Sequence, residues 1–80
     1  MKIQILFFGI LRDLIGKNSI DNSIDKNTSI AKLKASLLEK YEKLNNFSNF
    51  SIAVNEEYVD ADYVLKSDDI VALIPPVSGG

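Results

Sequence analysis

From Lys2 to Phe8 the side chains sort onto two faces, with Ile3, Ile5 and Phe7 on one and Lys2, Gln4, Leu6 and Phe8 on the other. Rich in β-formers, the stretch predicts a strand whose second face turns apolar toward its end. Gly9 closes it, Ile10 to Ile15 predicts a short helical turn carrying Leu11, Leu14 and Ile15, and Gly16 is placed to end that turn. After a turn at Lys17-Asn18, Ser19 to Asp25 alternates weakly and carries many polar residues, as suits an edge strand paired back onto the first. Ile30, Leu33, Leu37, Tyr41 and Leu44 then recur at three- and four-residue spacing, with Lys32, Lys34, Glu39, Lys40 and Glu42 largely opposite. This predicts the main helix, with Thr28 as its N-cap.

Asn45 to Asn49 breaks the helical pattern. Phe50 to Val54 predicts a short strand, Asn55-Glu56-Glu57 a turn and Tyr58-Val59 a small return strand. Asp60 to Asp69 reads as loop anchored by Val64 and Leu65, and Ile70 to Ile74 is an unbroken apolar run that suits a central strand. A crossover between the two most apolar strands favours pairing them in parallel, with the helix over one face. The expected fold is α+β: a β-grasp, or ubiquitin-like, mixed sheet with one main helix packed on one face. Residues 1–74 form the domain and 75–80 an extended tail.

In that arrangement the helix covers Ile3, Ile5 and Phe7 together with Val71 and Leu73. Leu6, Phe8, Ala72 and Ile74 then face away from it with no second helix to cover them, and an open apolar patch reads as a docking surface. The alternative for Phe8 and Ile74 is that 48–50 or 60–66 folds over them. Arg12, near Phe8, is either an ordinary solvated charge or an ion-pair anchor at the rim of that surface.

Composition narrows the chemistry. Eighty residues with 46% hydrophobic content make one small domain, because a chain this short buries only about 60% of its unfolded surface. Cysteine and histidine are both absent. No disulfide, thiol nucleophile or zinc–thiolate site is available, and the commonest general base is missing. Asp13, Asp68 and Asp69 without histidine or a calcium-loop pattern read as solvated acids, so no metal site is expected. A net charge of −2 offers no basic footprint, so no nucleic-acid partner is expected. The apolar stretch Ile3 to Leu11 is interrupted by Gln4, preceded only by Lys2, followed by Arg12-Asp13 and too short to cross a bilayer. The expectation is a soluble cytoplasmic protein with no membrane partner.

The chain closes on Pro75-Pro76-Val77-Ser78-Gly79-Gly80. Two prolines favour an extended exit, the glycines remove every side-chain obstacle, and the segment spans at most roughly 20 Å. Where side chains offer so little, the carboxylate of Gly80 becomes the candidate reactive group. A frayed end is the plainer reading.

Three segments together carry a family resemblance: Ile5 to Gly9 with Leu11 to Gly16, then Ala53 to Val59, then Leu65 through Ile74-Pro75-Pro76-Val77-Ser78-Gly79-Gly80. They resemble the small, sulfur-carrying subunits of molybdopterin synthase along their full length, and the terminal Pro-Pro-Val-Ser-Gly-Gly is the most specific part. A helix opened by a threonine, here Thr28, also fits. Ala31, Ser67-Asp68 in place of a commoner Asp-Gly, and Ile74 in place of an aromatic depart from the family pattern.

The resemblance implies a non-catalytic, sulfur-donating subunit. An ATP-dependent activating enzyme adenylates Gly80, a sulfur donor converts the acyl-adenylate to a thiocarboxylate, and the loaded tail enters a large synthase subunit in a two-plus-two complex. There it gives sulfur to cyclic pyranopterin monophosphate to build the dithiolene of molybdopterin. It further implies that Gly79 and Gly80 do the chemistry, that Phe8, Arg12, Tyr58, Ile74, Pro75, Pro76, Val77 and Ser78 meet partners, and that no cofactor is bound. Activation from outside agrees with the residues, since the chain has no glycine-rich phosphate loop of its own. Other readings are a ubiquitin-like protein modifier, a sulfur carrier for thiamine or another thio-cofactor, and a binding module whose tail is dispensable.

Overall fold

The computed structural model describes residues 1–47 and 49–76. Its strands are β1 (Lys2–Phe7), β2 (Ser19–Ser23), β3 (Ser51–Val54), β4 (Glu57–Tyr58) and β5 (Ile70–Ile74), and its α-helices α1 (Gly9–Ile15) and α2 (Ile30–Lys40). A 3₁₀ segment, Glu42–Phe47, follows α2. One sheet runs in the order β2-β1-β5-β3-β4, with β1 and β5 parallel and every other pair antiparallel. Parallel neighbours need a crossover, and the intervening chain carries α2 across one face.

That face holds the core. Ile3, Ile5, Phe7, Val71 and Leu73 pack with Ile30, Leu33 and Leu37 of α2 and with Leu11, Leu44 and Leu65, all buried. Burying each large aliphatic side chain contributes about 1.5–3 kcal/mol. Tyr41 meets Phe7 edge-on at 6.3 Å between ring centroids.

Several local expectations are corrected. Ser29, not Thr28, caps α2: its Oγ accepts from the Lys32 N–H at 3.2 Å. With Ile30 as the first helical residue, only Ser29 stands where a hydroxyl reaches the third helical N–H. Thr28 Oγ1 instead donates to the Asp25 carbonyl at 2.6 Å, bracing the turn that holds Asn27 at φ 68°. The helix also ends earlier than the apolar stripe. Tyr41 leaves helical geometry at φ −120°, ψ 86°, and the chain tightens into the 3₁₀ segment. Asn45 Nδ2 donates to the carbonyls of Leu38 and Glu42, taking up acceptors left over at a helix end. Leu44 is buried as its spacing predicts, though not from the α-helix.

Strand limits move by a residue or two. Phe8 is not in β1 but is the extended N-cap of α1, and β2 stops at Ser23. Asn55 and Glu56 alone make the β3–β4 turn, both at positive φ (51° and 73°), so β4 is Glu57–Tyr58 rather than Tyr58-Val59. This is the backbone a two-residue hairpin prefers. Of the two expected loop anchors, Leu65 is buried and Val64 is exposed. Gly16 ends α1 at φ 80° in the left-handed cap expected of it. Asp68 adopts φ 70°, which explains why a glycine suits that position.

Candidate functional site

The sheet face away from α2 carries a groove of about 600 Å³ lined by Leu6, Phe8, Ala53, Asn55, Glu56, Tyr58, Ile70, Ala72 and Ile74. Its shape follows from register. Leu6 lies beside Ala72, Ala72 beside Ala53, and Ala53 beside Tyr58, so one row across the sheet has two small residues at its centre and larger ones at its ends. The alanines form a floor, and Phe8, Ile70, Ile74 and Tyr58 rise around it. Phe8 (45%), Ile70 (42%) and Tyr58 (72%) keep much of their surface in solvent. Large side chains so exposed and contiguous are unusual for a surface that meets only water.

Ser48 lies outside the described residues, and among the described ones neither 49–50 nor 60–66, the alternative cover for Phe8 and Ile74, lines the groove. Phe50 is buried under α2, where Lys34 Nζ lies 5.0 Å from its ring centroid. Ala61 and Tyr63 accept from the first N–H groups of α2, on the helix side of the sheet.

Phe8, Tyr58 and Ile74 therefore meet in one groove, whereas Arg12 does not join them. Arg12 is exposed and lines a separate depression with Asp13, Gly16, Lys17 and Asn18. Arg12 stands one helical turn on from Phe8, its N–H 3.4 Å from the Phe8 carbonyl, and the two side chains line different depressions. Pro75 is half-buried at the end of β5, its Cγ 3.0 Å from where a Cβ on Gly9 would stand, and Pro76 is exposed. Val77, Ser78, Gly79 and Gly80 lie outside the described residues.

Ala53, Asn55, Glu56 and Ile70 are groove residues that the sequence reasoning did not assign. Ile70 was within reach, since it shares two-residue spacing with Ala72 and Ile74. Asn55 and Glu56 arrive through the hairpin turn, which no apolar pattern marks.

Behind the groove's Asn55 end lies a polar cluster. Asp69, only 6% exposed, accepts from Asn55 Nδ2 (3.0 Å) and the Lys66 N–H (2.8 Å), with the Tyr63 hydroxyl at 3.5 Å. Burial first, and then the charge of Asp69 and the hydrogen bond to it, hold the Tyr63 phenol above its ordinary pKa. Among the described residues no three His, Cys, Asp or Glu side chains are placed to hold a metal, and no helix is long and apolar enough to cross a membrane.

A five-stranded mixed sheet in this order, crossed by a helix on one face, defines a ubiquitin-like β-grasp protein. SAMP1 from Haloferax volcanii matches 100% of this chain and 100% of its own, with a TM-score of 0.86 and 19% identity, a likeness of fold alone. Within that class residues 5–80 match the ThiS family, and the chain belongs to it. It is 38% identical to the molybdopterin synthase sulfur carrier subunit of Dictyostelium discoideum, over 99% of this chain and 96% of that protein. It is also similar to a chain in the complex of subunits 1 and 2 of molybdopterin-converting factor from Helicobacter pylori, at 28% identity and TM-score 0.73, covering 100% of both.

Proposed function

We propose that this chain is the sulfur carrier subunit of a molybdopterin synthase, working in the cytoplasm, where ATP is at hand. The observation that carries the reading is the open apolar groove on a β-grasp sheet whose last strand runs directly into Pro75-Pro76 and on toward Gly80. Full-length similarity to named sulfur carrier subunits supports it.

A carboxylate is a poor electrophile until one oxygen becomes a leaving group. An ATP-dependent activating enzyme supplies this: a Gly80 oxygen attacks the α-phosphate, pyrophosphate departs, and a sulfur donor then displaces AMP to leave a thiocarboxylate. In the large subunit the thiocarboxylate sulfur attacks a carbon of the cyclic pyranopterin monophosphate and displaces an oxygen substituent from it. Water then cleaves the resulting thioester, returning Gly80 to a carboxylate and leaving the sulfur on the pterin as a thiolate. Phe8, Tyr58 and Ile74 dock the large subunit in a two-plus-two assembly, with Arg12 contributing from outside the groove. Pro75, Pro76, Val77 and Ser78 lead the tail in, and Gly79 and Gly80 pass where a β-carbon would clash.

The test is the intact mass of the chain after incubation with ATP, a sulfur donor and the activating enzyme, beside a chain lacking Gly80. A gain equal to one oxygen replaced by sulfur, confined to the full-length chain, is the expected result. Absence of that gain in an extract that loads another sulfur carrier rejects the reading, and Gly80-dependent adducts to other proteins would favour a modifier instead.

A further inference from the structure

Asn55 occupies φ 51°, a left-handed state that asparagine tolerates better than most residues, and its side chain adds contacts that the turn itself does not need. It provides a bridge. Asn55 Nδ2 donates to Asp69 Oδ1 at 3.0 Å, its Oδ1 accepts from the Ile70 N–H at 3.1 Å, and its own N–H donates to the Ile70 carbonyl at 2.8 Å. Because a carboxylate only accepts, chemistry fixes the amide's orientation. On its far side Asp69 Oδ2 accepts from the Lys66 N–H at 2.8 Å. Burying a charge is costly unless it is fully hydrogen-bonded, and Asp69 is buried and bonded on both oxygens.

The bridge ties the turn of the β3–β4 hairpin to β5. β3 is paired with β5 along its length, but β4 is an edge strand with two paired positions, Ala53 with Tyr58 and Val54 with Glu57, continued by the Val59 N–H donating to the Ile52 carbonyl at 3.3 Å, and so short a ladder is weak by itself. Yet this hairpin carries Asn55, Glu56 and Tyr58, one wall of the groove, while Ile70 beside the bridge supplies its end. We infer that Asn55 and Asp69 are positioning residues, a clamp that fixes the groove wall in its docking shape before the partner arrives. The partner then meets a wall already ordered, and the ordering cost of association falls. The inference rests on the carrier reading for the identity of the partner, the large synthase subunit.

Exchanging the two side chains tests it. Asn55→Asp sets two carboxylates face to face, and Asp69→Asn turns an amide N–H toward another donor. The double variant restores every partner with roles reversed: the amide at 69 donates to the carboxylate at 55 and still accepts from Lys66, and that carboxylate accepts from Ile70. Affinity of the full chain for the large subunit is measured with thermal unfolding and hydrogen exchange at the Glu57 and Val59 amides, the two that the hairpin ladder protects. Each single variant is expected to bind about tenfold more weakly with faster exchange at those amides, and the double to recover both. Folded single variants that bind like the wild type overturn the clamp, as does a double variant that recovers thermal stability without affinity. Should the single variants fail to fold, Asn55→Gly keeps the left-handed turn and removes only the bridge, and unchanged affinity there overturns the proposal equally. If the wild type itself does not bind the large subunit, the carrier reading fails, and unaltered exchange in Asn55→Gly then decides against the clamp by itself.

Discussion

On the side of the sheet under α2, Ile3, Ile5, Phe7, Val71 and Leu73 are at most 2% exposed, while on the other side Leu6, Ile70, Ala72 and Ile74 alternate with them along the same two strands, Phe8 follows at the end of β1, and all stay partly in water. The two faces draw on the same strands, and each carries large apolar side chains. What separates them is the partner. One face was covered by this chain's own helix during folding, and the other is shaped as if for cover from another molecule. Apolar character serves stability on the covered face and, under the proposed function, recognition on the open one.

Substitutions on each side put that contrast at risk. The largest effect belongs to the covered face: Leu73→Ala is expected to cost about 2–5 kcal/mol in urea denaturation, through lost burial and the cavity left behind. A cost below that of an exposed residue would mean that the helix side is not the core. On the open face Phe8→Ala is expected to change stability by no more than about 0.5 kcal/mol, yet to weaken binding to the large subunit about tenfold or more, as loss of an aromatic anchor does. Unchanged affinity would leave the open face without the role assigned to it. The smallest effect is at the hairpin rim, where Glu56→Gly should relieve a left-handed φ of 73° and raise stability by about 0.5–1 kcal/mol. A loss of stability in that variant would show that the turn is not strained.

Much of the covered face was legible in the chain. The alternation at Ile3, Ile5 and Phe7 and the stripe at Ile30, Leu33 and Leu37 are direct imprints of strand and helix periods on burial. Half of the groove was legible by the same logic, since Leu6, Phe8, Ala72 and Ile74 are simply the other phase of the alternation. Tyr41 and Leu44 kept the helical spacing while the backbone had already left the α-helix, because spacing reports which side chains turn inward and not which hydrogen bonds close behind them. Thr28 and Ser29 differ by one position, and only the helix start decides which hydroxyl meets a free N–H.

Arg12 marks the limit of nearness in sequence. It stands one helical turn on from Phe8, yet the two line different depressions. Asn55 and Asp69, fourteen positions apart, are by contrast hydrogen-bonded. The Asn55–Asp69 bond is not written in local pattern, because a short-range period cannot encode contacts made by chain reversal.

By itself the sequence determined the period of each element, the apolarity of both faces of β1 and β5, the lack of cysteine and histidine, and the run Pro75-Pro76-Val77-Ser78-Gly79-Gly80. The tertiary structure alone decided which apolar face received the helix, where two alanines fell opposite one another to hollow a groove, and which polar residues closed around Asp69. Burial periods follow from covalent geometry a few residues at a time. Cover, concavity and buried-charge pairing depend on strands that meet only after the whole chain has turned back on itself.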